Sequence, residues 1–212
     1  MIDPRDRDDA IALVRGAIAH ELGGPRPVIP DRAFFHQAHP AFVTFHRSSP
    51  YPDEEPELHG CIGSFAQRPF GETVQGTAVS AAFEDPRATP LGPSDLEDLD
   101  LEISLLSPTT PIRFESEEEA HAALRPGVDG VILRWRQPHG GVSQGLFLPQ
   151  VWQSLPEPRA FLDQLKRKAG LPTSFWAPDV ELERFTVEIL HDPAPRARTD
   201  PRAPLRAEEH RR

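Results

Sequence analysis

Prolines punctuate this chain, and they fall in its connections and its C-terminal stretch. There are 25 among 212 residues, each fixing φ and removing a backbone donor. That distribution describes a loop-rich globular protein rather than a fibrous one. The length suits one large domain or two small ones, enough to bury a core. A net charge of -10 argues against a nonspecific grip on phosphate backbones. With one cysteine no internal disulfide can form, which fits a reducing compartment. The opening Met1-Ile2-Asp3-Pro4-Arg5-Asp6 has no apolar core for a signal peptide, and no apolar run reaches membrane-spanning length. The expectation is a soluble cytoplasmic protein.

Between the prolines, helical and strand periods are both readable. Ile11, Leu13, Val14, Ala17 and Ile18 recur at helical spacing over 8–22, and Gly23-Gly24-Pro25 ends that helix. Residues 41–46 and the strand around Cys61 predict an antiparallel neighbouring pair. A helix is predicted over 70–83, with Val74, Ala78, Ala81 and Ala82 facing inward. Ser94 to Glu97 and Ser116 to Glu119 both match capping boxes; only a short turn can follow the first, and the second opens a short helix to Leu124. Leu101, Ile103 and Leu105 alternate as a strand. A hairpin is predicted around Gln137 to Gly141, and an amphipathic helix over 160–169 ends at Gly170. Phe185, Val187 and Ile189 alternate as one final strand. Beyond Asp192, six Arg and few apolar residues predict a disordered tail, 191–212.

Helices and strands mixed without βαβ alternation predict an α+β fold. The expected division is a larger lobe, about 1–84 and 127–190, with an antiparallel sheet and helices. A smaller lobe, about 85–126, is inserted into it, and a cleft between lobes is the expected place for a ligand.

The chemistry concentrates in Leu58-His59-Gly60-Cys61-Ile62-Gly63-Ser64-Phe65. Residues two apart on a strand share a face, which would set His59 beside Cys61. Gly60 and Gly63 leave room for a ligand or another backbone. A thiol beside an imidazole is what thiolate chemistry needs. The same residues also suit a cysteine that packs as a small hydrophobe. His46, His59 and Cys61 are able to ligate metal, but nothing sets them at ligand spacing, and no metal site is expected. The acidic residues of 95–100 and 117–119 read as helix-start and solvent-facing charges. Phosphate loops, dinucleotide fingerprints, paired CxxC cysteines and the Gly-x-Ser-x-Gly elbow are all missing, and no cofactor is expected.

Seven ordered blocks carry a resemblance. They are Phe42-Val43-Thr44-Phe45, the His59–Cys61 block, Asp85-Pro86-Arg87, Glu102-Ile103-Ser104-Leu105-Leu106-Ser107-Pro108, Gly127-Val128-Asp129-Gly130-Val131-Ile132-Leu133, Phe147-Leu148-Pro149-Gln150-Val151-Trp152 and Lys168-Ala169-Gly170-Leu171-Pro172. Together they resemble the AMMECR-type domain family over about residues 8–190. Bacterial and archaeal members are known as protein A of the AmmeMemoRadiSam system. The resemblance implies a two-lobed α+β fold, a cytoplasmic home, and Memo-type and radical SAM proteins as partners. It implies no activity. Two departures stand out: His59 occupies the position of a family arginine, and Ala88 that of an aromatic. Arginine is always charged and histidine is not, so a site needing a permanent fork of donors would bind its anion more weakly here.

Two readings remain open. In one, Cys61 is the nucleophile or redox group of an enzyme, His59 activates it, Arg87 holds a small anionic substrate, and Gln150 donates a hydrogen bond. In the other, the domain is a noncatalytic ligand-binding or adaptor module that docks onto those partners, favoured by exposed aromatic surface at Trp135 or Trp176.

Overall fold

The computed structural model describes residues 2–47, 56–65 and 68–195. It is an α+β protein with two antiparallel four-stranded sheets, and its chain divides into two compact units. Unit 1 holds the chain up to Leu105 and again from Glu188; unit 2 holds Leu106–Val187. These boundaries differ from an inserted segment at 85–126. The strand carrying Leu101 and Ile103 pairs with the strand carrying Val43, so it belongs to the N-terminal sheet.

Unit 1 begins with helix α1 (Pro4–Glu21), capped by the Asp3 carboxylate on the Arg5 amide with Pro4 in the first turn. It starts four residues before the expected helix over 8–22 because the cap, not the apolar pattern, sets the boundary. A one-turn helix α2 (Ala33–His36) follows. Then come β1 (Ala41–Arg47), β2 (Glu57–Ser64), α3 (Phe70–Val79) and β3 (Leu99–Leu106). Ala41, Val43 and Phe45 oppose Leu105, Ile103 and Leu101, and all six are buried with Leu13, Val14, Ile18, Val74 and Ala78 of the helices. The intervening Phe42, Thr44 and His46 oppose Ser104, Glu102 and Asp100 on the other face.

Three local expectations change. The helix over 70–83 is α-helical only to Val79 and continues as a π-turn, Ser80–Glu84. The capping box at Ser94 is not used: the 3-10 helix Pro93–Asp98 starts from Gly92, whose amide donates to Asp95 at 2.6 Å. That bond holds the Asp95 carboxyl below its ordinary value. At Ser116 the cap forms, opening α4 (Glu117–Ala123) with the Ser116 hydroxyl accepting from the Glu119 amide at 3.2 Å, while the Glu119 carboxylate accepts from the Glu115 amide rather than from Ser116.

Unit 2 contains β4 (Thr110–Pro111), β5 (Gly130–Arg136), β6 (Val142–Phe147), α5 (Pro158–Lys168) and β7 (Glu181–Phe185), in sheet order β4-β7-β5-β6. The hairpin forms as expected, closed by the Gln137 amide on the Gly141 carbonyl. Phe161, Leu162 and Leu165 of α5 and Ala169 at its C-cap are buried, and Trp152 stacks on Phe161 at 3.7 Å. The expected final strand is in fact two, because the chain leaves one sheet at Phe185 and enters the other at β8 (Val187–Asp192). Leu190 of β8 is buried and Ile189 is exposed, so its inward face is the opposite of the expected one. The tail also starts later than expected. Ala194 is fully buried, and its amide donates to Asp100; residues 196–212 lie outside the described residues.

Two buried ion networks hold unit 2. Lys166, 1% exposed, meets Glu117, Asp163 and the Thr173 carbonyl. Asp129, fully buried, accepts from the amide and guanidinium of Arg125 and from Arg184. Its backbone carbonyl accepts from the Trp152 indole at 2.7 Å. Removing one partner of such a network leaves its charges uncompensated. We therefore predict that Asp129→Ala lowers unfolding stability by about 3 kcal/mol or more. All three tryptophans lie in unit 2, so a denaturant titration followed by their fluorescence reads this unit directly. A loss below about 1 kcal/mol would contradict the assignment.

Candidate functional site around Cys61

Strand β2 is the edge of its sheet, in the order β2-β1-β3-β8. Cys61 lies opposite Thr44 on β1, and the Thr44 hydroxyl donates to its Sγ at 3.2 Å. The Cys61 amide points outward and donates to Asp85 Oδ2 at 2.9 Å. A residue whose amide points away from its partner strand belongs to a narrow, non-hydrogen-bonded pair, which explains how the short threonine reaches the sulfur. Cys61 itself is half-buried, so it is neither sealed in the core nor fully open.

The π-turn makes this edge. It brings the Ala81 carbonyl so close to β2 that a Cβ at Gly60 would overlap it, and only glycine allows the approach. Just beyond, Asp85 is buried and saturated with donors. Its carboxylate accepts the Cys61 amide, the Arg87 amide at 2.9 Å, Arg87 Nε at 3.0 Å and Arg87 Nη2 at 2.7 Å. The Arg87 hydrogen bonds, then the Cys61 amide, hold the Asp85 carboxyl well below the usual carboxylate range. The guanidinium of Arg87 is in turn pushed up, first by its bonds to Asp85 and less by attraction from Cys61. Its side chain is 57% exposed. Two of the five guanidinium N–H donors go to Asp85, leaving three for a ligand.

His59 is not where strict alternation puts it. The β1–β2 register slips between Phe45 and His46, which pair with Gly60 and Leu58, so His59 is the extra residue of a bulge. Its ring is buried; Nε2 donates to the Ala82 carbonyl at 2.9 Å, and Nδ1 has no hydrogen-bond partner. The expected imidazole–thiol pair is therefore replaced by a thiol–hydroxyl pair with Thr44. Gly63 serves a different purpose from the expected one. A side chain there would overlap the Phe42 ring, which lies across it.

Gln150 belongs to unit 2, in the 3-10 helix Pro149–Gln153, where its Oε1 is buried and unpartnered. The candidate residues that the structure brings together are thus Cys61, Gly60, Gly63 and Arg87, with His59 as a buried support. Among the described residues, no three His, Cys, Asp or Glu side chains form a group able to hold a metal ion. Trp135 and Trp176 are half-buried and packed in their own unit. The Trp135 indole donates to Asp179 and its ring meets Phe175, while Trp176 meets Phe114. Thr44 and the second role of Asp85 were not foreseen. The signal for Thr44 was a polar residue opposite Cys61 in two strands already read as an antiparallel pair.

Because the folded-state pKa of Asp85 is depressed, its carboxylate stabilises the fold above the unfolded value of about 3.9. That contribution is lost as pH falls toward the folded value. We predict that Asp85→Asn is less stable than the parent by about 2–3 kcal/mol near neutrality. The difference should shrink steadily below about pH 4. Exposure of the single thiol during denaturation, measured at several pH values, checks this; a pH-independent difference would contradict it.

Known proteins share this architecture. The AMMECR1 family model matches residues 11–190. A curated protein of Methanothermobacter thermautotrophicus is 34% identical over 202 residues, covering 89% of this chain and 97% of its own. Another, from Thermotoga maritima, is 34% identical over 168 residues, covering 77% and 83%. The crystal structure of the uncharacterized protein PH0010 from Pyrococcus horikoshii superposes with a TM-score of 0.72 at 30% identity, covering 88% of this chain and 91% of that one. With the match running through both sheets and the Cys61 edge, the chain belongs to the AMMECR1 family.

Proposed function

We propose that the β2 edge is a thiol-centred site for a small anionic substrate, with Cys61 as the reactive group and Arg87 as the anion's anchor. The observation that carries this reading is one shared carboxylate. Asp85 Oδ2 accepts from both the Cys61 amide and Arg87 Nη2, so the thiol-bearing backbone and the guanidinium are fixed to one another. Thr44 adds a hydroxyl donor to the sulfur at 3.2 Å, which orients the side chain on the sheet face. Arg87 offers a fork suited to carboxylate or phosphate. His59 supports the site through the π-turn rather than acting on the sulfur. Family membership, with the resemblance to protein A of the AmmeMemoRadiSam system, supports a pathway shared with Memo-type and radical SAM proteins. The alternative is a noncatalytic module that binds a small ligand or docks onto those partners. It gains nothing from Trp135 or Trp176, which their own unit already covers in part.

Paired alkylation of the folded protein separates these readings, since Cys61 is the only thiol. Iodoacetate is anionic and iodoacetamide is neutral, while their chemistry at sulfur is the same. Relative to a small model thiol, the iodoacetate-to-iodoacetamide rate ratio should be raised, and Arg87→Gln should lower it roughly five-fold, the ~1 kcal/mol typical of a partly exposed charge. An equal ratio in both proteins overturns the anion anchor. A thiol that reacts only on unfolding overturns the reactive-group reading and leaves the docking module.

A further inference from the structure

Beside Cys61 the sheet face also carries an aromatic surface. Residues two apart on a strand share a face, so Phe42 accompanies Thr44 on β1 and Gly63 accompanies Cys61 on β2. The register sets Phe42 against Gly63 and Thr44 against Cys61. The Phe42 ring occupies the space a side chain at 63 would need, about 6.7 Å along β2 from the position of Cys61. Phe42 is half-buried and meets Phe65 at 5.6 Å with the rings 72° apart. Arg87 is tied to the outer side of β2 through Asp85. The thiol therefore lies between a flat apolar surface toward β1 and a cation at the strand edge. The two-residue step along β2 sets the Phe42 side, and the Asp85 oxygen that accepts from both the Cys61 amide at 2.9 Å and Arg87 Nη2 at 2.7 Å sets the other, a span that one small molecule bridges.

The charge on the site narrows the anion. Asp85 and Arg87 form a pair of zero net charge, so the three spare donors of Arg87 suit a singly charged group better than a dianion. Phe42 in turn favours a flat partner, since aromatic faces and edges attract one another beyond simple burial.

We infer that the ligand is a small planar monocarboxylic acid, its carboxylate on Arg87 and its aromatic or unsaturated body against Phe42. This inference rests on the anion-taking thiol site proposed above. It names a substrate class and two specificity-determining residues, one for each end of the molecule.

The test is protection of Cys61 in the full chain against iodoacetamide by benzoate or by acetate. Both acids carry the same charge, and only benzoate has the planar body. Benzoate should halve the alkylation rate at a concentration about ten-fold lower than acetate does. Phe42→Leu, which keeps apolar bulk but removes the ring, should cut that advantage to less than about three-fold while leaving protection by acetate unchanged. Arg87→Gln should abolish protection by both. Equal protection by the two acids, lost together in Arg87→Gln, overturns the planar-body inference and leaves the anion site standing. An undiminished benzoate advantage in Phe42→Leu also overturns it. Protection by neither acid removes both the inference and the reading beneath it.

Discussion

One carboxylate organises unit 1 around its exposed strand. An edge strand presents outward amides and carbonyls that must be satisfied or guarded. Here the guard is Asp85, which takes the outward amide of Cys61 and grips Arg87 with the same two oxygens. A buried carboxylate is tolerable only when its acceptor sites are filled, and four donors fill these. The π-turn before it is part of the same device. It ends α3, lays the Ala81 carbonyl against Gly60, offers the Ala82 carbonyl to His59, and delivers Asp85 to the strand edge. Widened turns of this kind recur at functional sites.

The chemistry follows from that geometry. Cys61 is not placed by an adjacent base, as a thiol–imidazole pair would be, but by its backbone. Its amide is bound from outside and its sulfur receives the hydroxyl of the facing Thr44. Arg87 supplies positive charge without being a free surface cation, since Asp85 fixes its orientation while more than half of the side chain remains exposed. This also bears on the His59 departure. His59 is buried against a backbone carbonyl, whereas Arg87 stands exposed at this strand edge.

Much of the fold was legible because apolar period and turn chemistry agree along the chain. The inward residues of α1, α3 and α5, the β1–β2 pair, the 137–141 hairpin and the Ser116 cap are all local patterns, and the structure contains them. What was not legible depends on partners distant in sequence. Ala81 and Ala82 continue a helical apolar pattern perfectly well, so nothing local announces a π-turn. Phe185, Val187 and Ile189 alternate as one strand, yet two different sheets recruit the two halves. His59 sits two residues from Cys61, and only the register with β1 reveals the bulge between them. Of the site, Cys61, its glycines and Arg87 were visible as chemistry, whereas Thr44 and the double duty of Asp85 became visible only through pairing.

The most direct test of this account is the amide of Cys61 itself, followed by nitrogen–proton NMR as a function of pH. An outward amide on an edge strand exchanges quickly with water unless something caps it. The account predicts a strongly protected amide whose chemical shift holds steady through the ordinary carboxylate range and moves only at lower pH, as Asp85 is protonated. Rapid exchange, or a shift that titrates near pH 4 like an ordinary aspartate, would show that Asp85 does not hold this strand, and the site built on it would fall.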